Sequence, residues 1–276
     1  MSTRRRSWLF TPATRADRFD RAAEAGADVL IIDLEDAVAL PDKAEARRAA
    51  LDWLAQPADG RIVRALRLNA PTTDFGLEDL LALVRSEVVP DVVVIPKVDS
   101  PDILRLVDGL LTGAAKPTRL VALIETARGV ACAEAIAQAT PRLDALFFGA
   151  ADLAADLGAE VAWEPLLGAR ARVVNAAALA GVAVIDSPFF AIADEEGLKV
   201  EVRAAVRMGF TAKAAIHPRQ VAAINDALTP TPDQVAEARR ILVENAKGVG
   251  VVDGRMIDEA VARKARRVLA AAGEAA

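Results

Sequence analysis

The chain has 276 residues, of which 53% are apolar and 26% charged, and its net charge is −5. This length suits one α/β barrel of ~250 residues, and the mixed charges exclude the basic surface that nucleic-acid binding needs. No apolar stretch approaches the ~18–20 residues of a membrane span. The basic start, residues 1–6, is followed by too short an apolar run for a signal peptide, so we expect a cytoplasmic protein.

Strand-like apolar runs recur along the chain, and each ends near a polar residue that could take part in chemistry. Segments with helical periodicity separate them, as in residues 43–54 and in residues 101–111, which follow a Ser100 cap. This alternation predicts a (βα)8 TIM barrel whose active site lies at the carboxyl ends of the strands. The predicted strands are residues 7–11, 29–35, 62–69, 92–98, 120–126, 145–149, 182–187 and 212–217.

The predicted barrel closes with a helix over residues 219–227, so we assign residues 1–227 to the barrel and 228–276 to a C-terminal helical extension. One extension helix should begin at Thr231-Pro232 and reach about Lys247, and a second should begin near Asp258. Both carry apolar faces, which must be buried on the chain's own barrel or on a neighbouring subunit. We expect the extension to pack on a neighbour.

The chain has few cysteine and histidine side chains that could bind a metal. The chain has one cysteine, Cys132, and one histidine, His217, which excludes an internal disulfide and the usual Cys/His zinc site. We expect Cys132 to be a buried structural thiol. His217 ends the last predicted strand, where a packing role and a catalytic one are both open. Any metal should therefore be a hard cation with oxygen ligands.

Three carboxylates end the second strand: Asp33, Glu35 and Asp36. Because strand residues alternate in direction, Asp33 and Glu35 share a face, while Asp36 belongs to the loop. At a barrel mouth such a cluster suggests a metal shell or a proton-transfer network. The alternative is structural, with these acids capping the next helix or pairing with Lys43 and Arg47.

Two further carboxylates come from adjacent predicted strands: Glu125 lies at the end of one, and Asp152 lies just past the next. They could converge on one Mg²⁺, which usually takes one or two protein carboxylates and completes its octahedron with water and substrate oxygens. The alternative is an ion pair of Glu125 with Arg128 and a helix N-cap at Asp152.

Arg67 and Asn69 point to one side of the third strand. An arginine inside a barrel is costly unless it is paired, which favours binding of a carboxylate or a developing oxyanion, or a structural pair with Glu35 or Glu125. Lys97 ends the next strand, and we favour an ion pair with a neighbouring acid over a Schiff base.

These motifs occur in the order seen in the citrate lyase β-subunit-like (CitE-like) proteins of the HpcH/HpaI aldolase superfamily, which the chain resembles over essentially its whole length. The motifs are RSWLFTPA at 6–13, DLEDAV at 33–38, RLN at 67–69, PKV at 96–98, IET at 124–126, FGAADL at 148–153, DSPF at 186–189 and AIHP at 215–218.

The resemblance implies a role for each matching residue. Glu125 and Asp152 match the family's Mg²⁺ ligands, a site that could also take Mn²⁺. Arg67 matches the arginine that holds the thioester carbonyl and stabilises the enolate. Glu35 and Asp36 match the acidic cluster around the metal's waters and substrate. Asp258, in GRMID at 254–258, resembles an aspartate that reaches a neighbouring subunit's site and acts as base; without the resemblance it would be a helix N-cap or a first-turn acid.

The resemblance also implies a substrate class. Free-acid aldolases of the superfamily carry a histidine where this chain has Asp36, which favours the acyl-CoA branch. Arg6, Arg15 and Lys43 could contact the phosphates of CoA or be solvated surface charges.

The implied activity is reversible cleavage of a 3-hydroxyacyl-CoA, such as malyl-CoA, citramalyl-CoA or a citryl-type thioester, to a 2-oxo acid and an acyl-CoA. The alternatives are a malate synthase, an acyl-CoA thioesterase, a citrate lyase β subunit active only in a multi-protein complex, and a catalytically silent barrel. We expect a homotrimer, or a hexamer built from trimers, with neither nucleic acid nor membrane as a partner.

Overall fold

The computed structural model describes residues 5–58, 60–246, 248, 250–252 and 255–274. Two compact units are present, one of residues 5–224 and one beginning at Asn225. The division falls inside a helix, next to the predicted boundary after Ala227. Lys247 and Gly254, which the sequence placed at a helix end and in the GRMID motif, lie outside the described residues.

The first unit is a closed barrel of eight parallel strands, each hydrogen-bonded to the next in chain order and β8 to β1, which confirms the predicted TIM barrel. The strands are β1 Ser7–Pro12, β2 Val29–Asp33, β3 Val63–Arg67, β4 Val92–Ile95, β5 Arg119–Ile124, β6 Leu143–Phe148, β7 Ala183–Asp186 and β8 Ala212–Ala215.

Helices separate the strands, as the periodicity predicted. They are α1 Phe19–Ala23, α2 Lys43–Leu54, α3 Asp74–Arg85, α4 Pro101–Gly113, α5 Ala127–Ala131, α6 Ala133–Ala137, α7 Ala150–Leu157, α8 Trp163–Ala180, α9 Glu195–Met208 and α10 Arg219–Leu228, with short 3-10 turns at Ala16–Arg18 and Leu40–Asp42. The Ser100 hydroxyl caps α4 by accepting from Asp102 N–H, and Pro101 is its first residue, as predicted.

The interior of the barrel is filled by alternate residues of every strand, among them Trp8, Ile31, Ala65, Leu123 and Phe147. The alternation fixes the site, because the next inward position along a strand carries it toward the mouth. Several strands end one to three residues before the predicted limit. β2 ends at Asp33. Beyond it, Glu35 N–H donates to the Asp33 carboxylate at 2.9 Å and not to a neighbouring strand.

The second unit contains two helices, α11 Pro232–Asn245 and α12 Glu259–Ala272, and an antiparallel hairpin of β9 Gly250–Val252 and β10 Arg255–Ile257. Thr231 and Gln234 form a reciprocal capping box at the start of α11. The helices bury Ala238, Ala265 and Leu269 against each other, with Val235, Ile241, Leu242 and Val268 packed around them. The apolar faces of the extension thus cover one another, an option that the sequence argument did not consider. Among the described residues, no helix has the length and apolar character to cross a membrane.

Candidate active site

The polar residues of the mouth follow from strand alternation. Asp33 continues the inward series Val29 and Ile31 of β2, and Arg67 continues Val63 and Ala65 of β3. Glu125 stands in the same relation to Val121 and Leu123 of β5. These side chains are therefore delivered to the carboxyl end of the barrel core.

Arg67 is the central cation. Its Nε and Nη2 donate to the two carboxylate oxygens of Asp33 at 2.6 and 2.7 Å, and its Nη1 lies 2.7 Å from Glu35 Oε2. The guanidinium carbon sits 4.9 Å from the centre of the Phe10 ring. Burial opposes the charge, but Asp33 and then Glu35 outweigh it and raise the pKa of Arg67. Arg67 is thus held as a cation by the structural pairing that the sequence left open.

Glu35 is bound between two cations. Its Oε1 accepts from Lys97 Nζ at 2.5 Å, which confirms the ion pair expected for Lys97, and its Oε2 meets Arg67 as an ion pair without hydrogen-bond alignment. Burial still raises the pKa of Glu35 above its ordinary value, against the opposing effects of Arg67 and Lys97. Asp36 is half exposed and lies 3.8 Å from Arg67 and 3.7 Å from Lys97, so it belongs to the rim.

Lys97 has an unusual backbone. Its φ is +51°, in the left-handed region that costs a non-glycine residue on the order of 1–3 kcal/mol. In this conformation its N–H donates to Glu125 Oε1 at 2.9 Å. Nothing in the sequence indicated this, because lysine carries no signal for positive φ.

Glu125 is buried, with 2% of its surface exposed. Burial raises its pKa well above the usual range; Glu35 and Asp152 add to the rise, and Arg67 and Lys97 oppose it. Gly149 makes room for this side chain, since a Cβ there would lie 2.5 Å from Glu125 Cβ and 2.7 Å from Oε2. Gly149 thus allows the Glu125 carboxylate to occupy a buried position, where the neighbouring cations only partly offset the effect of burial on its pKa.

Asp152 lies in the first turn of α7 and is partly exposed. Gly149 is the N-cap residue, so the alternative of Asp152 as an N-cap is wrong. Within the described part of the chain, its carboxylate accepts no hydrogen bond and Glu125 makes no ion pair with Arg128. The helix N-terminus favours the negative charge of Asp152, and its oxygens are available to a ligand.

The donor set fits a hard divalent cation. The described residues contain no group of three or more His, Cys, Asp or Glu side chains arranged as a metal cage. Mg²⁺ needs only one or two protein carboxylates, and Glu125 and Asp152 could supply them. Three cations share this mouth with five carboxylates, so a divalent ion would relieve the excess negative charge; the set is Arg67, Lys97 and Lys43 with Asp33, Glu35, Asp36, Glu125 and Asp152.

Two of the three predicted CoA contacts need correction. Lys43 is buried, and its ammonium donates to Leu34 O, Glu35 O and Asn69 Oδ1 at 2.6–2.7 Å, which uses its three N–H groups. Burial lowers the pKa of Lys43. Lys43 supports the β2 loop and is not available to a phosphate.

Arg6 lies before β1 and pairs with Asp28, which precedes β2, so it belongs to the amino-terminal end of the barrel, opposite the mouth. We therefore no longer assign Arg6 to CoA. Arg15 follows β1 at the mouth and pairs with Asp17 on the surface, which leaves its role a prediction. The suggested pairing of the β2 acids with Arg47 is also absent, because Arg47 binds Glu78 and Asp79.

Asp258 belongs to the second unit, where it is the N-cap of α12 and accepts from Val261 N–H at 3.0 Å. This is the role expected without the resemblance. His217 is half-buried, and its Nδ1 accepts from Arg219 N–H at 3.2 Å. Cys132 is partly exposed, which corrects the expectation of a buried thiol.

A second ionic cluster escaped the sequence argument. Lys213 Nζ is buried and donates to Asp186, Glu201 and the Ser187 carbonyl, and Arg170 also pairs with Asp186. Lys213 alternates with the inward Ala212 and Ala214, so this cluster lies between strands and helices, outside the barrel core. The sequence feature that could have indicated this cluster is Lys213, a lysine within an apolar strand.

The mouth of this α/β barrel combines an arginine, paired acids and donors for a hard cation, an arrangement that can stabilise an oxyanion during carbon–carbon bond chemistry. Residues 6–218 match the family model described as HpcH/HpaI aldolase/citrate lyase, and residues 168–273 match one described as C-C_Bond_Lyase of the TIM-Barrel fold. The chain belongs to the HpcH/HpaI aldolase/citrate lyase family, which confirms the predicted membership and the predicted lyase class.

Two named relatives align with nearly the whole chain. An L-malyl-CoA/beta-methylmalyl-CoA lyase of Cereibacter sphaeroides is 35% identical over 96% of this chain and 93% of its own. A citrate lyase subunit beta-like protein of Mycobacterium tuberculosis is 37% identical over 97% of this chain and 96% of its own.

Among the solved structures similar to this chain are CitE and RipC. CitE of Mycobacterium tuberculosis, in complex with magnesium, acetoacetate and coenzyme A, has a TM-score of 0.82 and 35% identity over 99% of this chain and 100% of its own. RipC of Yersinia pestis has a TM-score of 0.76 and 46% identity over 85% of this chain and 100% of its own. The magnesium and CoA of the CitE complex agree with the cofactors predicted for this family.

Proposed function

We propose that the chain is a magnesium-dependent carbon–carbon lyase that cleaves or forms a 3-hydroxyacyl-CoA thioester through an acyl-CoA enolate. The observation that carries the proposal is the position of Arg67, oriented by Asp33 and Glu35, at the same strand ends as the buried Glu125. The family membership and the malyl-CoA lyase relatives support the reaction class.

Arg67 has the geometry to hold an oxyanion. Two of its five N–H groups bind Asp33 and Nη1 faces Glu35, which leaves the second N–H of Nη2 for a thioester carbonyl. Asp33 and the Phe10 ring fix the plane of the guanidinium. Arg67 would bind the carbonyl oxygen and bind it more strongly as negative charge develops during bond cleavage.

Glu125 and Asp152 would hold Mg²⁺. When bound, Mg²⁺ supplies Lewis-acid polarisation of the substrate's hydroxyl and terminal carboxylate oxygens. Lys97 N–H and the space left by Gly149 keep Glu125 oriented for this task. Glu35 and Asp36 would contact substrate or metal-bound water from the rim.

Cleavage requires a base for the substrate hydroxyl, and we assign Asp258 of a neighbouring subunit to this role. Loss of that proton allows the carbon–carbon bond to break, giving a 2-oxo acid and an acyl-CoA enolate that Arg67 holds until it is protonated. The assignment includes packing of residues 228–276 on a neighbour in a homotrimer, or in a hexamer of trimers, because a tail that reaches one neighbour in a ring closes the assembly. A cytoplasmic location is part of the same proposal.

The related alternatives differ in product or in partner. A malate synthase or thioesterase would add water to hydrolyse the thioester and release free CoA. A citrate lyase β subunit would need an acyl carrier partner, a role suggested by the name of the Mycobacterium tuberculosis relative.

The test is incubation of the purified chain with Mg²⁺ and a panel of 3-hydroxyacyl-CoA esters, with mass spectrometry of the products. A 2-oxo acid plus an intact acyl-CoA supports the lyase, and free CoA supports hydrolysis. Activity that appears only with an added carrier protein would identify a complex-dependent subunit.

The metal assignment is tested by EDTA, which should abolish activity that Mg²⁺ or Mn²⁺ then restores. Glu125→Gln and Asp152→Asn should weaken metal binding without unfolding the barrel. Asp156→Asn is the matched control, because Asp156 lies on the same helix, is exposed and accepts only from Ala127 N–H. Full activity in either ligand variant would contradict the site.

A further inference from the structure

Lys97 makes two contacts that its position in sequence alone would not require. Its backbone N–H donates to Glu125 Oε1 at 2.9 Å, and its ammonium binds Glu35 Oε1 at 2.5 Å. The two acceptors come from different strands and serve different parts of the proposed site: Glu125 belongs to the metal pair, and Glu35 contacts Arg67. Lys97 therefore links the two halves.

The backbone contact depends on the left-handed conformation of Lys97. A φ of +51° sets the direction of the Lys97 side chain and of the following chain relative to this N–H, so that the N–H donates to Glu125 while the ammonium reaches Glu35. Lysine tolerates this conformation at a cost, glycine adopts it freely, and a β-branched residue is excluded from it more strongly. The conformation can therefore be changed separately from the charge.

The side-chain contact continues into a chain of alternating charges. Lys97 Nζ binds Glu35, Glu35 meets Arg67 Nη1 at 2.7 Å, and Arg67 binds Asp33. Without the ammonium, Glu35 would be left with one poorly aligned cation and would be free to draw Arg67 away from a substrate oxygen.

We propose that Lys97 is a positioning residue with two separable functions: its left-handed backbone orients Glu125 for the metal, and its ammonium holds Glu35 so that Arg67 stays directed at the substrate. This inference rests on the proposed function, since it presumes that Glu125 binds the metal and Arg67 the thioester.

The backbone function is tested by Mn²⁺ affinity, measured by electron paramagnetic resonance on the full chain without substrate. Lys97→Gly and Lys97→Val both remove the ammonium and differ in their tolerance of positive φ. We expect Lys97→Gly to bind within about twofold of wild type and Lys97→Val to bind about tenfold more weakly or worse, the size of effect that loss of a supporting group produces. If Lys97→Val does not fold, the smaller β-branched variant Lys97→Thr against Lys97→Gly gives the same comparison.

The ammonium function is tested by turnover. Lys97→Met keeps an unbranched side chain, so its Mn²⁺ affinity should stay close to that of wild type while kcat/KM falls by about 10- to 100-fold. Lys97→Arg, which restores a cation for Glu35, should recover part of this loss. A purely structural lysine would lower the melting temperature and would not separate metal affinity from turnover in this way.

Equal Mn²⁺ affinity of the folded glycine variant and a folded β-branched variant would overturn the backbone function, and full turnover in Lys97→Met would overturn the ammonium function. Both results are distinct from failure of the proposed site, which would appear as undiminished Mn²⁺ binding in Glu125→Gln. No binding by the wild-type protein would overturn the site and the inference together.

Discussion

Asp33 and Arg67 are register partners on neighbouring strands, and their side chains form two parallel hydrogen bonds of 2.6 and 2.7 Å in the barrel core. The Asp33 carboxylate keeps the Arg67 guanidinium charged and prevents it from rotating. Fixed orientation is what a group that stabilises a developing oxyanion needs, because the site then does not reorganise during the reaction.

Arg67→Lys keeps the charge but loses the planar fork. We expect kcat/KM to fall by about 10² or more, as for loss of an oxyanion donor. Arg105→Lys, at an exposed pair with Asp102, is the matched control and should change nothing measurable. If Arg67 were only structural, the variant would lower the melting temperature and leave the kinetics of the folded fraction unchanged.

Metal stabilisation should depend on pH. The pKa of Glu125 is raised in the folded protein, so without metal its contribution to stability is present at low pH and lost as pH rises through that pKa. Mg²⁺ needs the ionised carboxylate, so the increase in melting temperature caused by saturating Mg²⁺ should grow from about pH 5 to about pH 8.

Thermal melts with Mg²⁺ and with EDTA across this range measure the effect. Glu134→Gln, a change on the surface of α6, should leave the pH trend intact, whereas Glu125→Gln should flatten it. A Mg²⁺-induced shift of the same size at every pH would argue against Glu125 as a ligand.

The fold was predictable because its signals are local. Buried strands separated by helical periodicity give the barrel, and the limits of α2, Lys43–Leu54, agree with the prediction residue for residue. The inward direction of Asp33 and Arg67 also follows from alternation, since a period of two is fixed by strand geometry.

The contacts of the site were less accessible to sequence reasoning. Lys43 reads as a surface cation in a helix, yet its acceptors at residues 34, 35 and 69 come from two other segments. The positive φ of Lys97 has no counterpart in residue type. Such features arise from tertiary packing, which overrides the local preference of a single residue.

The corrected role of Lys43 can be measured. Lys43→Met would leave Leu34 O and Asn69 Oδ1 without their donor, whereas Glu35 O would keep its hydrogen bond from Val38 N–H. Buried unpaired acceptors cost about 1–3 kcal/mol each, so we expect the free energy of unfolding to fall by roughly 2 kcal/mol or more in urea titrations.

Lys199→Met is the control for Lys43→Met, because its two ion pairs with Glu195 and Glu196 are exposed and contribute little. A phosphate-binding lysine would behave in the opposite way. Its removal would leave unfolding unchanged and raise KM for the CoA substrate.

Asp258 is the proposed base for the active site of a neighbouring subunit. Its capping hydrogen bond allows this role to be tested separately from a structural one. Asn and Ser are good N-cap residues, so Asp258→Asn and Asp258→Ser should keep the bond to Val261 N–H and the stability of α12. Asp258→Ala should lose about 0.5–2 kcal/mol of unfolding free energy with that bond.

If Asp258 is the base, all three variants lose turnover severely, although only the alanine variant is destabilised; if it is only a cap, the asparagine variant stays active. Sharing between subunits is tested by mixing Asp258→Asn with Arg67→Ala after dissociation and reassembly. Some interfaces would then pair an intact Arg67 with an intact Asp258, so part of the activity should return, whereas each variant alone stays inactive. Verified mixed oligomers without recovery would count against sharing, and a fully active monomer would exclude it.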